Sequence, residues 1–262
     1  MPTTVGPRWR PPRLWLFLQV LARGLTAALA RLRVSGDVSP ALRAGPVILA
    51  ANHISPIDPV VLAAATRARR LSPRVMATGG LFRTPVVGSV MRACGHIRVD
   101  RRTTTVARSL DEAGDALAAG SIVLVYPEGR ISLDPTLWPE RGKTGAARLA
   151  LASGAPVVPV AQWGTHEVVP YAVPRGLLPA VLRAVVRRPV VRVRFGPPVD
   201  LSGLSAGVPG HAQAATDRII DAIADTLAPL RPDEPETPRH HDPTRPLSTD
   251  RSRPRRRIDA GG

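Results

Sequence analysis

The chain places a histidine five residues ahead of an aspartate with a proline between them, in Asn52-His53-Ile54-Ser55-Pro56-Ile57-Asp58. On a regular helix five steps would set the two side chains about 140° apart around the axis. Pro56 removes that conflict. With Ser55 as N-cap and Pro56 as first helical residue, His53 lies in the turn and Asp58 in the first helical turn, so the imidazole can fold back onto the carboxylate. A neutral imidazole, with an ordinary pKa of about 6.5, can take a proton from a hydroxyl at neutral pH. The aspartate would fix its tautomer and stabilise the imidazolium that forms. Ser55-x-x-Asp58 also has the form of a capping box, in which Asp58 satisfies backbone donors and His53 is a turn residue.

Two further blocks offer cations. In Gly95-His96-Ile97-Arg98-Val99-Asp100-Arg101, strand alternation predicts His96, Arg98 and Asp100 on one face and Ile97 and Val99 on the other. Arg101 follows at the strand end, where its fork can hold a phosphate, or where it can simply pair with Asp100 in solvent. In Tyr126-Pro127-Glu128-Gly129-Arg130-Ile131-Ser132, Gly129 permits close backbone approach to a ligand and Arg130 adds a second cation. A plain Pro-x-Gly turn with exposed charges has the same pattern. Lys143 is either another cation for lipid or donor phosphates or a surface lysine at a helix start.

The elements that must position these blocks are short apolar, β-branched runs alternating with helical patterns. Residues 46–52, 72–78, 95–99, 121–126, 155–161 and 190–195 read as strands. Residues 57–69, 80–93, 103–119, 143–153 and 211–229 read as helices. This alternation predicts an α/β fold, with a central, largely parallel or mixed sheet flanked by helices and each block at a strand end. The domain expected over 34–230 is flanked by a Pro/Arg-rich start (1–13) and a basic tail (231–262), both predicted to be disordered. Residues 14–33 read as an amphipathic helix on which Gln19, Arg23, Thr26 and Arg33 form a narrow polar stripe. Arg23 near its middle argues against a spanning helix and for one lying in the membrane plane, with Trp15 and Phe17 in lipid. An ordinary helix packed on the protein's own core would share this pattern.

The net charge of +16 calls for an anionic partner. At 3% aromatic content, with no basic helix or zinc-finger spacing, nucleic acid is not expected and an anionic membrane surface is. Cys94, the single cysteine, permits neither a disulfide framework nor a cysteine-based metal site, which fits a reducing cytoplasm. No small-residue cleavage pattern marks a signal peptide near the N-terminus.

Taken in order, Asn-His-x4-Asp, Gly-x-Ile-x-Val-x-Arg, Tyr-Pro-Glu-Gly and Val157-Val158-Pro159-Val160 resemble the glycerolipid acyltransferase family, typified by the 1-acylglycerol-3-phosphate acyltransferases. The resemblance covers roughly residues 30–200. It implies transfer of a fatty acyl group from acyl-CoA or acyl carrier protein to a lysophospholipid hydroxyl. The leading acceptor would be 1-acyl-glycerol-3-phosphate, giving phosphatidic acid. His53 would be the base and Asp58 its partner, Arg101 would bind phosphate, and Glu128 and Gly129 would bind the acceptor. It implies no metal, no cofactor beyond the thioester co-substrate and no acyl-enzyme. A peripheral or monotopic place on the cytoplasmic face of the cell membrane is expected. The family's third block usually runs Pro-Glu-Gly-Thr-Arg-Ser; here Arg130 stands at the threonine position and Ile131 at the arginine position, so the arginine is displaced by one place. The alternative for the same scaffold is a non-catalytic peripheral lipid-binding protein.

Overall fold

The apolar runs condense into one sheet because two faces of helices cover it. In the computed structural model, which describes residues 9–100, 105–173, 176–231 and 244–251, the strands are β1 (Arg31–Ser35), β2 (Val47–Ala51), β3 (Arg74–Thr78), β4 (Ile97–Val99), β5 (Ile122–Val125), β6 (Val157–Trp163) and β7 (Val190–Phe195). They form a seven-stranded sheet in the order β1-β7-β6-β2-β5-β3-β4. All neighbours run parallel except β6 and β7, so the sheet is mixed. The central strands β2 and β6 are buried along their whole length, as continuous apolar runs covered on both faces should be. Pro159 is tolerated inside β6 because it sits just outside the paired stretch with β7, and its carbonyl still accepts from Gly196 N at 2.8 Å.

The helices are α1 (Arg13–Leu29), α2 (Pro40–Ala44), α3 (Asp58–Ala68), α4 (Gly79–Arg83), α5 (Pro85–Ala93), α6 (Thr105–Ala118), α7 (Gly145–Ser153), α8 (Thr165–Val168), α9 (Leu177–Arg187) and α10 (His211–Leu227). Alternate residues of β2 feed two cores. Val47, Leu49 and Ala51 join α3 and α9 on one side, and Ile48 and Ala50 join α6, α7 and α10 on the other.

Four expectations are corrected. The helix expected over 80–93 breaks at Thr84–Pro85, where Pro85 opens α5 and Gly88 passes so close to the Phe82 carbonyl that a Cβ would stand 2.1 Å from it. The helix expected over 14–33 ends at Leu29, and Arg33 belongs to β1, drawn out by parallel pairing with β7. The polar stripe also divides: Gln19 and Thr26 are buried while Arg23 is exposed, and Trp15, expected in lipid beside Phe17, is buried against His96. Gln19 donates to Thr66 Oγ1 at 3.1 Å and to the Leu71 carbonyl at 2.9 Å and accepts from Ser72 Oγ at 2.9 Å, so its amide is used inside the protein. Leu14, Phe17, Leu21 and Leu25 are left in solvent. Fourth, His96 does not share an exposed face with Arg98. It is buried, edge-on to Trp15 at 4.5 Å, and accepts from Val75 N at 3.1 Å. Burial, with Arg74 nearby, lowers its pKa to about 4, so it is a neutral core residue.

Among the described residues no helix is long and apolar enough to cross a membrane. The tail from Arg231 departs from the expected disorder wherever it is described. Arg231 is buried, its guanidinium 4.3 Å from the Trp138 ring centre and 4.2 Å from that of Trp163. Residues 244–251 lie against the site loops. The N-terminal stretch 1–8 and tail residues 232–243 and 252–262 lie outside the described residues.

Candidate active site

The first block leaves the C-terminal end of β2, where open α/β sheets present ligand groups. Asn52, fully buried, clamps this exit to β6: its amide accepts from Gln162 N at 2.8 Å and donates to the Gln162 carbonyl at 3.0 Å, while Gln162 Nε2 donates to the Asn52 carbonyl at 2.7 Å. The chain then turns, and α3 begins at Asp58 with Ile57, not Ser55, as its N-cap. Ser55 Oγ is diverted to the Val169 carbonyl at 2.6 Å. The expected effect of Pro56 nonetheless holds. His53 Nδ1 and Asp58 Oδ2 are 2.8 Å apart.

Asp58 is fully buried, and its Oδ2 also accepts from Ile54 N at 2.6 Å and Ser55 N at 2.8 Å. The two alternatives for this aspartate are therefore combined: one oxygen organises the turn and holds the imidazole. A carboxylate at Nδ1 requires the proton there, which leaves the Nε2 lone pair free to act as acceptor. Tyr126 stacks on the imidazole with ring centres 4.2 Å apart and planes 21° apart, fixing its second degree of freedom. Burial, reinforced by the Asp58 charge, raises the Tyr126 phenol well above its ordinary value, so it stays neutral.

The third block leaves β5, the neighbour of β2. Glu128 is fully buried. One of its oxygens accepts from His53 N at 3.0 Å and the other from Glu140 N at 2.9 Å. Burial pushes its pKa up to about 8, against the pull of those two backbone donors. Ser132 N donates to the His53 carbonyl at 2.7 Å, a second tie between the two loops. Gly129 takes φ +71°, and a Cβ there would stand 3.2 Å from Lys143 Cδ, so the lysine stem lies along the glycine. Lys143 N donates to the Pro127 carbonyl at 2.8 Å.

The displaced arginine has a definite partner. Arg130 makes a two-pronged bond to the fully buried Glu140, with both N···O distances 3.0 Å. Thr249 Oγ1 donates to the same carboxylate at 2.9 Å. The 244–251 segment continues this lining. Arg245 donates to the carbonyls of Ile54 and Ser132, one in each loop. Arg251 donates to the Glu128 carbonyl at 2.9 Å, and its own carbonyl accepts from Arg141 N at 2.9 Å.

His53, Asp58, Glu128, Gly129, Arg130 and Lys143 are thus gathered in adjoining loops, while Arg101 lies outside the described residues. In the second block Arg98 and Asp100 pair at 2.7 Å. Sequence reasoning missed Gln162, Glu140 and the tail arginines. Gln162 carries a legible signal, a lone amide in the apolar run VVPVAQW; Glu140 lies in an irregular loop and carries none. No group of metal-ligating side chains occurs among the described residues.

A protein-family profile described as Acyltransferase matches residues 31–163, from β1 to the end of β6. The chain is similar to a 1-acyl-sn-glycerol-3-phosphate acyltransferase of Chlamydomonas reinhardtii, 33% identical over 146 residues, covering 55% of this chain and 42% of that protein. It is similar to a chloroplastic 1-acyl-sn-glycerol-3-phosphate acyltransferase of Brassica napus, 28% identical over 159 residues, covering 60% of this chain and 43% of the relative. It thus spans less than half the length of these two relatives. Among solved structures, the 1-acyl-sn-glycerophosphate acyltransferase of Thermotoga maritima superposes with a TM-score of 0.61 at 20% identity, over 85% of this chain and 81% of that one. That likeness supports the mixed α/β sheet with helices on both faces.

Proposed function

Because the chain belongs to the acyltransferase family, we propose that it transfers a fatty acyl group from acyl-CoA or acyl carrier protein to the free hydroxyl of a lysophospholipid. The leading acceptor is 1-acyl-glycerol-3-phosphate, which would give phosphatidic acid. The observation that carries this reading is the 2.8 Å contact between His53 Nδ1 and an Asp58 carboxylate already fixed by two backbone donors. A lipid-binding module has no use for an imidazole oriented in this way.

In this mechanism His53 Nε2 takes the acceptor's hydroxyl proton as the oxygen attacks the thioester carbonyl. Asp58 stabilises the imidazolium that forms. That attack forms the new C–O bond; collapse of the tetrahedral adduct restores the C=O and breaks the C–S bond, and the imidazolium returns its proton to the thiolate. Arg101 and Lys143 are assigned to the anionic parts of the substrates. Glu128 is assigned to holding the His53 and Glu140 backbones, since both its oxygens are engaged there. The bidentate bond to Glu140 assigns Arg130 to shaping the loop, with its remaining edge toward the acceptor head group. The enzyme would act as a peripheral protein on the cytoplasmic, anionic face of the membrane, where acceptor and product reside.

The test is transfer from radiolabelled palmitoyl-CoA, and from palmitoyl carrier protein, to a panel of lysophospholipids, with His53→Ala alongside. Product that disappears in the folded variant is expected. Equal product from wild type and variant would remove His53 from the chemistry, and no product from either donor would leave the lipid-binding alternative.

A further inference from the structure

Ten of the large hydrophobic side chains left exposed belong to two helices, α1 and α9. On α1 the exposed apolar stripe runs through Phe17, Leu21 and Leu25, which are 62%, 56% and 46% exposed. On α9 it runs through Leu178, Leu182 and Val186, which are 68%, 57% and 84% exposed. Spacings of four residues keep each set on one side of its helix. The helices touch, and their C-terminal ends are tied: Arg188 donates to the Ala27 carbonyl at 2.7 Å and Arg31 N to the Pro189 carbonyl at 2.9 Å.

We infer that α1 and α9 together form a two-helix platform that seats on an anionic bilayer, with α9 as a second contact of the same standing as α1. Charge decides the occupant. Residues 10–36 and 176–199 carry five arginines each and no acidic residue. A second copy seated on this face would set arginines against arginines, whereas anionic head groups neutralise them and the acyl region accepts the aliphatic stripes. Neither helix is long and apolar enough to cross, so the contact lies in the membrane plane. The inference deepens the membrane placement proposed above, and vesicle binding tests it without any acyl transfer.

The experiment is co-sedimentation of the 262-residue chain with phosphatidylcholine vesicles, with and without phosphatidylglycerol. Wild type is compared with Leu178→Ser/Leu182→Ser/Val186→Ser on α9, Phe17→Ser/Leu21→Ser on α1, and Val208→Ser as an exposed control away from both helices. All substituted side chains are exposed, so unchanged thermal melts are expected. The expected result is binding that requires phosphatidylglycerol, is weakened by salt, and falls by about tenfold or more for either platform variant but not for the control. An α9 variant that binds like wild type would overturn the inference while leaving α1 as the anchor. Wild type that ignores all vesicles would overturn it together with the membrane placement. A wild-type dimer that the α9 variant dissociates would overturn it in favour of a self-association face.

Discussion

The substitution Asp58→Asn isolates the charge of the proposed catalytic pair. Asp58 Oδ2 alone accepts from His53, Ile54 N and Ser55 N, and Oδ1 has no hydrogen-bond partner among the described residues. An asparagine whose carbonyl oxygen takes the Oδ2 position keeps all three bonds and puts its NH2 group where Oδ1 was. The flipped amide would face three N–H donors with its own, so the two backbone donors and the ring donor select the orientation that preserves the His53 tautomer. What is lost is the negative charge beside the developing imidazolium. At a separation of about 4 Å and an effective dielectric of about 20, that interaction is worth up to about 4 kcal/mol. The carbonyl dipole retains part of it, leaving a loss of about 2–4 kcal/mol, or roughly 30- to 1000-fold in kcat/KM. Stability should fall by about 1–3 kcal/mol from a buried NH2 group and a weakened α3 N-terminus. The assay is kcat/KM for acyl transfer at neutral pH, with thermal melts to establish folding. Wild-type activity in a folded Asp58→Asn protein would refute the reasoning and make Asp58 a turn carboxylate only.

Two further outcomes are expected. Glu128 has a folded pKa of about 8 against an ordinary value of 4.5, so between those values the folded state binds more protons than the unfolded one and stability falls as pH rises, by up to a few kcal/mol. Thermal melts at pH 5.5 and 8.5 should show this slope in wild type and its absence in Glu128→Gln, which is less stable at the lower pH because its NH2 group faces a backbone donor. Arg245→Met should cost about 2–4 kcal/mol, since the Ile54 and Ser132 carbonyls lose a charged donor. Loosening of the His53 loop should lower kcat in the same variant; unchanged melting and kcat would show that the tail segment does not brace the site.

The parts of the fold written in local pattern were legible. The short, β-branched apolar runs VILAA and IVLV read as central strands, and the first and third blocks leave their ends as α/β topology demands. The His53/Asp58 pairing was legible too, since Pro56 forces a turn that a helix could not supply. What was hidden depends on partners remote in sequence. Strand β1 reads as more helix until β7, some 160 residues on, offers a parallel edge. On α1, periodicity gives a polar stripe but not what each member meets: Gln19 is drawn inward by Thr66, Leu71 and Ser72, none of which local pattern can reveal, while Arg23 stays exposed.

The same distinction bears on the displaced arginine. From the order of residues, Arg130 and Glu128 look like the groups that meet the acceptor. In the folded chain each first meets the loop itself: Glu128 ties His53 N to Glu140 N, and Glu140 in turn ties Arg130 and Thr249. A continuous polar chain therefore runs from the proposed base to the tail segment. Fully buried acid groups tolerate this only while every donor stays in place, because a polar atom left unpaired at such a site costs about 1–3 kcal/mol. The third block is then a brace whose geometry sets where Nε2 points. On that reasoning, moving the arginine by one position alters the side of the site proposed to meet the head group, while the His53/Asp58 pair keeps its geometry.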